Sequence, residues 1–440
     1  MADALILTRP AQTDLRRWAP DAVAGLGLLI FVGVWTVFGR AALAGPDGII
    51  DDVLGVDARE YFFAVANGEW FVESAKRPLF GPIAQVLRRC FDWAPGVDAV
   101  AAAQSVFALF GLIAIAACYG FARLCGCAPV AASVISVWAF SSFALSFAAS
   151  VYDSYMASVA ALFLVGAAAL ALARWGGGLV QARPWLCVAV AGLASLGAGW
   201  LYAPWILASA LFAAAFLTLG PKDWRRWIRA LAVGAIPLML YPLPFLAHPE
   251  GLGAAQGDII DRYASLRHLV DPAAWAQTTN AFFLSLWAYP GGIIPGDFFP
   301  NPQAPHGWMV QTIADTAAAP LNWGLAGTSL AAVGAAVGLG LRRGGRAWFV
   351  LALLGLIGAQ AVFYVYFAPG EALLFASPVM AGYAMLLALG RAQISGPAGW
   401  RCDAGLAALA MICVVVNAGA LDRTGAFHRA DLPQTLSPLR

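Results

Sequence analysis

The sequence predicts an all-α, polytopic membrane protein, and composition and patterning together carry that prediction. Of its 440 residues, 61% are hydrophobic and only 11% are charged, whereas ordinary globular domains carry about 25% charged residues. The apolar residues are gathered into runs close to the roughly 20 that a helix needs to cross a hydrocarbon core of about 30 Å. Such runs fall near 21–43, 99–121, 129–149, 154–173, 185–201, 204–219, 230–247, 321–341, 347–367, 371–389 and 403–420. About eleven transmembrane helices are therefore expected within a single integral membrane domain, 1–440, the sixth being short. The first run is longer than the apolar region of a cleavable signal and lacks a clean small-residue cleavage site, so it is expected to remain as an anchor.

Lys and Arg in short connections prefer the cytoplasm. With the N-terminus inside, that side receives Arg9, Arg16 and Arg17, then Arg123, Arg174 and Arg183, the Lys222, Arg225, Arg226 and Arg229 group, Arg342, Arg343 and Arg346, and finally Arg391 and Arg401. The short connections near Ser150–Asp153, Tyr202–Ala203 and Ala368–Gly370 then lie outside and carry no Lys or Arg. Two long connections, about 45–98 and 248–320, also fall outside. The inner connections are brief and rich in Gly and Arg, with no strand, glycine loop and helix unit of the kind that holds a nucleotide. Chemistry is therefore expected on the outer face, without a nucleotide.

A formal net charge of +2 and the lack of a Lys/Arg-rich run argue against nucleic acid. Neither the seven cysteines nor the four histidines show metal-ligand spacing, and there is no Cys-x-x-Cys pair. Only Cys90 lies in an outer connection, so no outer disulfide is expected. No internal repeat is visible, which argues against the paired halves of many transporters.

The first outer connection concentrates charge that is sparse elsewhere: Asp51, Asp52, Asp57, Glu60, Glu69 and Glu73 beside Arg59, Lys76 and Arg77. Residues 57–67 predict a short helix along the interface, with Phe62, Phe63, Val65 and Ala66 toward lipid and Arg59, Glu60 and Asn67 toward water. Asn67-Gly68 ends it. A second amphipathic piece follows Pro82, with Ile83, Val86 and Leu87 opposite Gln85, Arg88 and Arg89. Lys76-Arg77-Pro78 lies in the turn between the two.

The run Asp57-x-x-x-Tyr61, Asn67-Gly68-Glu69-Trp70, Arg77-Pro78-Leu79-Phe80 resembles the first outer loop of the C-type (GT-C) glycosyltransferases that use polyprenyl-phosphate sugars. The protein O-mannosyltransferases and the lipid A aminoarabinose transferase are the similar members. The motifs cover the first four helices, and the remainder is similar in architecture alone. Two departures stand out: Ala58 follows the Asp where a Glu is usual, and one Pro stands where two are common. The resemblance implies Asp57 as catalytic base and Asp153, in SVYDSYMASVAAL, as the second acidic position at the outer start of the fourth span. Asp51 and Asp52 are alternative bases, since a paired Asp after the first helix also occurs in this class.

Attack of a hydroxyl on a sugar C1 needs a carboxylate to take the proton. A lipid-phosphate leaving group is already anionic and needs cations, for which Arg77, Lys76 and Arg59 are the nearby candidates. Each residue also has a plain structural reading. Asp57 and Asp153 are good helix caps, and Arg77 is placed to snorkel to the headgroups. The carboxylates are of a type that binds Mg²⁺ or Mn²⁺, but such a leaving group requires no metal or other cofactor.

Glu60 and Tyr61 beside Asp57 are candidate substrate contacts. So are Arg262, Arg267 and His268 in the second outer connection, where GDIIDRYASLRHLVDP reads as an amphipathic helix with Ile259, Ile260, Tyr263, Leu266 and Val270 on one face. Glu371, at the outer mouth of the tenth span, completes the set. Trp200, Tyr202 and Trp205 read as an aromatic belt. The expected function is an inverting transfer of sugar from a polyprenyl-phosphate donor to a glycan, lipid or protein acceptor on the periplasmic face of a bacterial inner membrane. The rivals are an O-antigen polymerase or ligase working through Arg262, Arg267 and His268, and a polytopic transporter, which the near absence of charge from the spans disfavours.

Overall fold

In a computed structural model the protein is described over residues 15–44, 58–68, 77–91, 93–219, 224–247, 264–288, 293–295, 308–310, 319–342, 344–367, 369, 372–373 and 375–431. Four helices form its first part: α1 (Leu15–Leu43), α2 (Ala58–Asn67), α3 (Phe80–Phe91) and α4 (Ala99–Cys125). Then come α5 (Pro129–Ser141), α6 (Phe143–Ser150), α7 (Tyr155–Trp175), the short α8 (Gly177–Ala182), α9 (Pro184–Leu201), α10 (Ser209–Leu219), α11 (Trp224–Leu240) and α12 (Leu243–Ala247). The last part holds α13 (Pro272–Thr279), α14 (Ala319–Leu341), α15 (Gly344–Phe367), α16 (Ala376–Arg391) and α17 (Gly396–Asp431).

Each of the eleven apolar runs is helical. Among the described residues eight helices are long and apolar enough to cross a membrane on their own, and α5 with α6, bent by 73°, adds a ninth if the pair is taken as one broken span. The chain is thus a multi-pass membrane protein with an all-α membrane part. Two stretches are shorter: Ala203–Leu219, and α16, whose 16 residues rise only about 24 Å at 1.5 Å each. The reason for a short α16 lies in its position. Every residue from Ala376 to Gly390 is buried, and the helix packs among α7, α4, α5, α14 and α15. With neighbours on every side, α16 is screened from lipid and need not match the bilayer thickness. Two close approaches tighten the bundle. A Cβ on Gly390 would lie 2.3 Å from the Cα of Ala336, and one on Gly39 would lie 2.7 Å from the Cβ of Ser150.

The two ends of the bundle differ chemically. At one end arginines satisfy helix C-termini and acids: Arg346 donates to the carbonyls of Leu389 and Cys125 at 3.1 Å. Arg391 pairs with Asp403 at 2.7 Å, and Arg123 with Asp21 at 2.6 Å. The opposite end gathers α2, α3 and the turns before α7 and after α9.

At that end the interfacial helices face differently from expectation. Phe62, Val65 and Ala66 of α2 are turned into the protein, not toward lipid, and all three are buried. Phe62 meets Tyr152 at 4.7 Å between ring centroids, and α2 packs on α4, so the apolar face found protein surface to cover. In α3 the expected apolar stripe is split. Ile83 and Leu87 pack against the core, but Val86 is exposed and Gln85 on the presumed wet face donates to the Ala64 carbonyl at 3.1 Å. In the second long connection, Leu266–Val270 is a 3-10 turn, with Leu266 and Val270 exposed. They do not form an apolar helix face, and the rest of that predicted helix, 258–263, lies outside the described residues. The same connection holds two short antiparallel strands, β1 (Ile293–Pro295) and β2 (Trp308–Val310), with Ile294 opposite Met309.

The bend in the third span has an identifiable construction. Ser142 breaks the helix with extended backbone and its hydroxyl caps Leu145 N at 3.4 Å. The next two amides look outward for partners: Phe143 N donates to the Trp287 carbonyl at 3.2 Å and Ala144 N to Leu286 at 3.1 Å. Asn417 of α17, fully buried, donates to the Ser141 and Trp287 carbonyls at 2.8 and 2.9 Å. Asn417→Leu should leave the Ser141 carbonyl without this donor in the apolar interior, at about 1–3 kcal/mol. A thermal melt of the detergent-solubilised protein unchanged from wild type would refute this account of the bend.

Candidate functional site

Arg77 precedes Pro78 in the turn that opens α3, and local bonds hold that turn. Phe80 N donates to the Arg77 carbonyl at 2.9 Å, and Leu79 N donates to the Trp200 carbonyl at the end of α9 at 3.3 Å. Phe80 drives the turn inward, its buried ring 5.6 Å from Tyr61 and 5.8 Å from Phe110. The Arg77 side chain follows into the interior. Its Nη1 donates to Asp153 Oδ1 at 2.7 Å, with side-chain exposures of 11% and 3%.

Asp153 sits two residues before α7. Ser154 occupies the cap position of that helix and makes no side-chain cap bond. The same Asp153 oxygen that meets Arg77 also accepts from the Ser154 backbone amide, and from Ser154 Oγ at 2.8 Å. The carboxylate thus serves the guanidinium as well as the start of the helix, and neither reading from the sequence exhausts it.

Aromatic rings close the pair in. The guanidinium carbon lies 5.5 Å from the Tyr61 ring centroid and 5.3 Å from that of Tyr155. Tyr364 stacks on Phe375 at 4.5 Å, Tyr155 meets Phe375 edge-on, and the Tyr202 and Tyr364 hydroxyls are hydrogen-bonded. Burial works against the charge of Arg77, but the phenol oxygens of Tyr61, the Asp153 carboxylate, and then Tyr155 and Tyr364 outweigh it, so the guanidinium titrates above its ordinary value. Of these groups it is Asp153 that forms the ion pair with Arg77.

Tyr202 and Trp205 correct the aromatic-belt reading. Both are buried, Trp205 donating to the Ser158 carbonyl at 2.8 Å. Period alone does not tell an interfacial ring from one turned inward at a span end. Of the late candidates, Arg267 is exposed and His268 sets its Nδ1 3.2 Å from the Tyr366 carbonyl, two residues from Tyr364. Arg59 and Glu60 lie in the first turn of α2, where only the backbone is described. Asp51, Asp52, Asp57, Lys76, Arg262 and Glu371 lie outside the described residues.

One residue escaped the sequence reading. Arg40, in the last turn of α1, donates from Nη1 to the Gln104 carbonyl at 2.9 Å and lies 4.8 Å over the ring of Tyr152. Its signal was available: with the N-terminus expected inside, a lone Arg at the far end of the first span runs against the positive-inside trend. Among the described residues no three His, Cys, Asp or Glu side chains converge as metal ligands would, and all seven cysteines are free thiols.

No protein-family model matches the chain, and no curated protein matches it. Among solved structures it is similar to an oligosaccharyltransferase from Archaeoglobus fulgidus, solved with a tethered acceptor peptide containing the NVT sequon. Identity is 14% and the TM-score 0.44, over 91% of this chain and 55% of that one, so the chain spans little more than half that protein's length.

The buried pair makes a clear energetic prediction. Removing one partner strands a charge and should cost about 3–5 kcal/mol, while replacing both with apolar side chains of similar volume is often nearly neutral. Arg77→Met and Asp153→Leu should each lower the melting temperature sharply, and the double variant should recover most of the loss. Additive losses in the double variant would contradict a coupled, buried pair.

Proposed function

We propose that the chain is an inverting glycosyltransferase that moves a sugar from a polyprenyl-phosphate carrier to a glycan, lipid or protein acceptor, working on the periplasmic face of a bacterial inner membrane. The observation that carries the reading is the Arg77–Asp153 bond. It joins, 76 residues apart, the two sequence stretches whose resemblance to the GT-C enzymes was drawn on their own residues. Tyr61, from the third matching stretch, lies over the same guanidinium. The clustering of this group at the end of the bundle opposite the arginine-rich end supports an outer-face site, because the arginine-rich end is the one expected in the cytoplasm.

In this reading Asp57, one residue before α2, takes the proton of the acceptor hydroxyl as its oxygen attacks the anomeric carbon. The bond from that carbon to the carrier phosphate breaks, and its electron pair leaves on the phosphate oxygen. No acid is needed for a leaving group that is stable as an anion. Asp153 fixes Arg77 and, through it, the turn that opens α3. Asp51 and Asp52 are the alternative bases. The acidic motif and the buried pair are better explained by this chemistry than by transport, which calls for ionisable groups at mid-membrane. Arg267 is exposed and His268 sets its Nδ1 against the Tyr366 carbonyl, so the polymerase or ligase reading rests on the sequence alone.

The test is sugar transfer by the purified, liposome-reconstituted protein from a panel of labelled polyprenyl-phosphate sugars to isolated envelope acceptors. Asp57→Asn should reduce the rate by about 10²- to 10⁴-fold, the usual value of a positioned general base, with melting temperature unchanged. Full activity in that variant would remove Asp57 from the mechanism. Transfer from a nucleotide sugar but from none of the lipid-linked donors would remove the proposed donor class.

A further inference from the structure

Arg77 is neutralised by Asp153, so it brings little net charge to a phosphate. Arg40 differs. Its guanidinium is spent on one neutral acceptor, the Gln104 carbonyl, and on the face of Tyr152. Its Nε and Nη2 are buried with no hydrogen-bond partner, and among the described residues no carboxylate forms an ion pair with it. A snorkelling arginine keeps its head in water, whereas Arg40, half-buried as a whole, has these two nitrogens shielded from it. Holding a cation out of water without a counter-charge is costly, so the feature asks for an anion.

The surroundings say where that anion would sit. Tyr152 immediately precedes Asp153, and Phe62, 4.7 Å from the Tyr152 ring, immediately follows the Tyr61 that overlies Arg77. Arg40 is held there by close packing: with glycine at position 39, α1 approaches Ser150 more nearly than any side chain would allow. The guanidinium is therefore a fixed fork at the end of a membrane span, level with the residues of the candidate site. A planar fork with two donors left over suits two oxygens of a phosphate, and the height of a span end suits a phosphate carried on a membrane-embedded chain.

We propose that Arg40 is the cation that binds the phosphate of the polyprenyl carrier, a binding residue for the donor that rests on the lipid-linked reading above. The test measures binding without transfer. Full-length protein in nanodiscs is titrated with a polyprenyl monophosphate, with the neutral polyprenol, with inorganic phosphate, and with added phosphatidylglycerol, following the melting temperature and intrinsic tryptophan fluorescence. Wild type should bind the polyprenyl monophosphate and not the alcohol. Arg40→Gln should weaken that binding by about 10- to 100-fold, the usual worth of a charge-assisted hydrogen bond, and Arg40→Lys, which keeps the charge but not the fork, by less. Should Arg40→Gln not fold, the lysine variant decides: unchanged affinity there overturns the proposal. Equal affinity in wild type and Arg40→Gln also overturns it, assigning the counter-charge to the chain's own carboxylates. Arg40-dependent binding of inorganic phosphate or phosphatidylglycerol alone overturns the lipid-carrier assignment. Loss of binding in Arg40→Gln together with no sugar transfer by wild type would keep Arg40's role and discard the glycosyltransferase reading. Transfer by wild type with binding unchanged in the variant would discard Arg40 alone.

Discussion

A guanidinium and a carboxylate 2.7 Å apart and nearly out of solvent set the terms for one whole end of this molecule. Neither charge is tolerable there alone, so the turn before α3 and the turn before α7 must arrive together. The consequences spread outward. The Arg77 turn brings Phe80 onto α4 and ties Leu79 to the end of α9, and Tyr61 of α2 and Tyr155 of α7 close over the cation. Four segments far apart in sequence are thereby fixed relative to one another by a single ion pair. Precision of this kind is what a site for a charged ligand needs, because its groups must be placed before the ligand comes.

Arginine has opposite uses at the two ends of the bundle. At one end it closes off helices: Arg346 takes carbonyls that α16 and α4 leave unbonded, and Arg391 and Arg123 are matched to acids. At the other, Arg77 is matched but sunk among tyrosines, and Arg40 is half-buried, its Nε and Nη2 shielded, and unmatched by any described acid. The first pattern completes structure. The second stores electrostatic potential in a place where water screens it little.

The helices were legible in the sequence because a bilayer imposes a length and a hydrophobicity that composition cannot hide. Every expected span is helical, including α16, whose full burial was not foreseeable from its own residues. What the sequence concealed are the directions of side chains at span ends. Phe62 and Val65 carry the pattern of a lipid-facing stripe, and so would any helix lying on protein. Tyr202 and Trp205 look like belt residues until the chain packs over them. The meeting of Arg77 with Asp153 was half visible: both residues stood out by motif, but nothing local links positions separated by four helices. Arg40 went unremarked because a single charge in an apolar run reads as a span boundary, and only packing against Tyr152 reveals otherwise. The carboxylates at 51, 52 and 57 keep the standing the sequence gives them.

The bend between α5 and α6 has a mechanical consequence for the second long connection. Broken helices normally leave amides unpaired, and here those of Phe143 and Ala144 are taken by the carbonyls of Trp287 and Leu286, with Asn417 clamping the joint from α17. The connection is therefore moored to α6 as well as to the helices at its two ends. The strand of chain that follows α6 carries Asp153 three residues after Ser150. A pull on the root of the second connection, such as a docking macromolecule would exert, is borne by the same short helix that leads into the buried acid. The root of the second long connection and the turn that carries Asp153 are thus joined through one short helix.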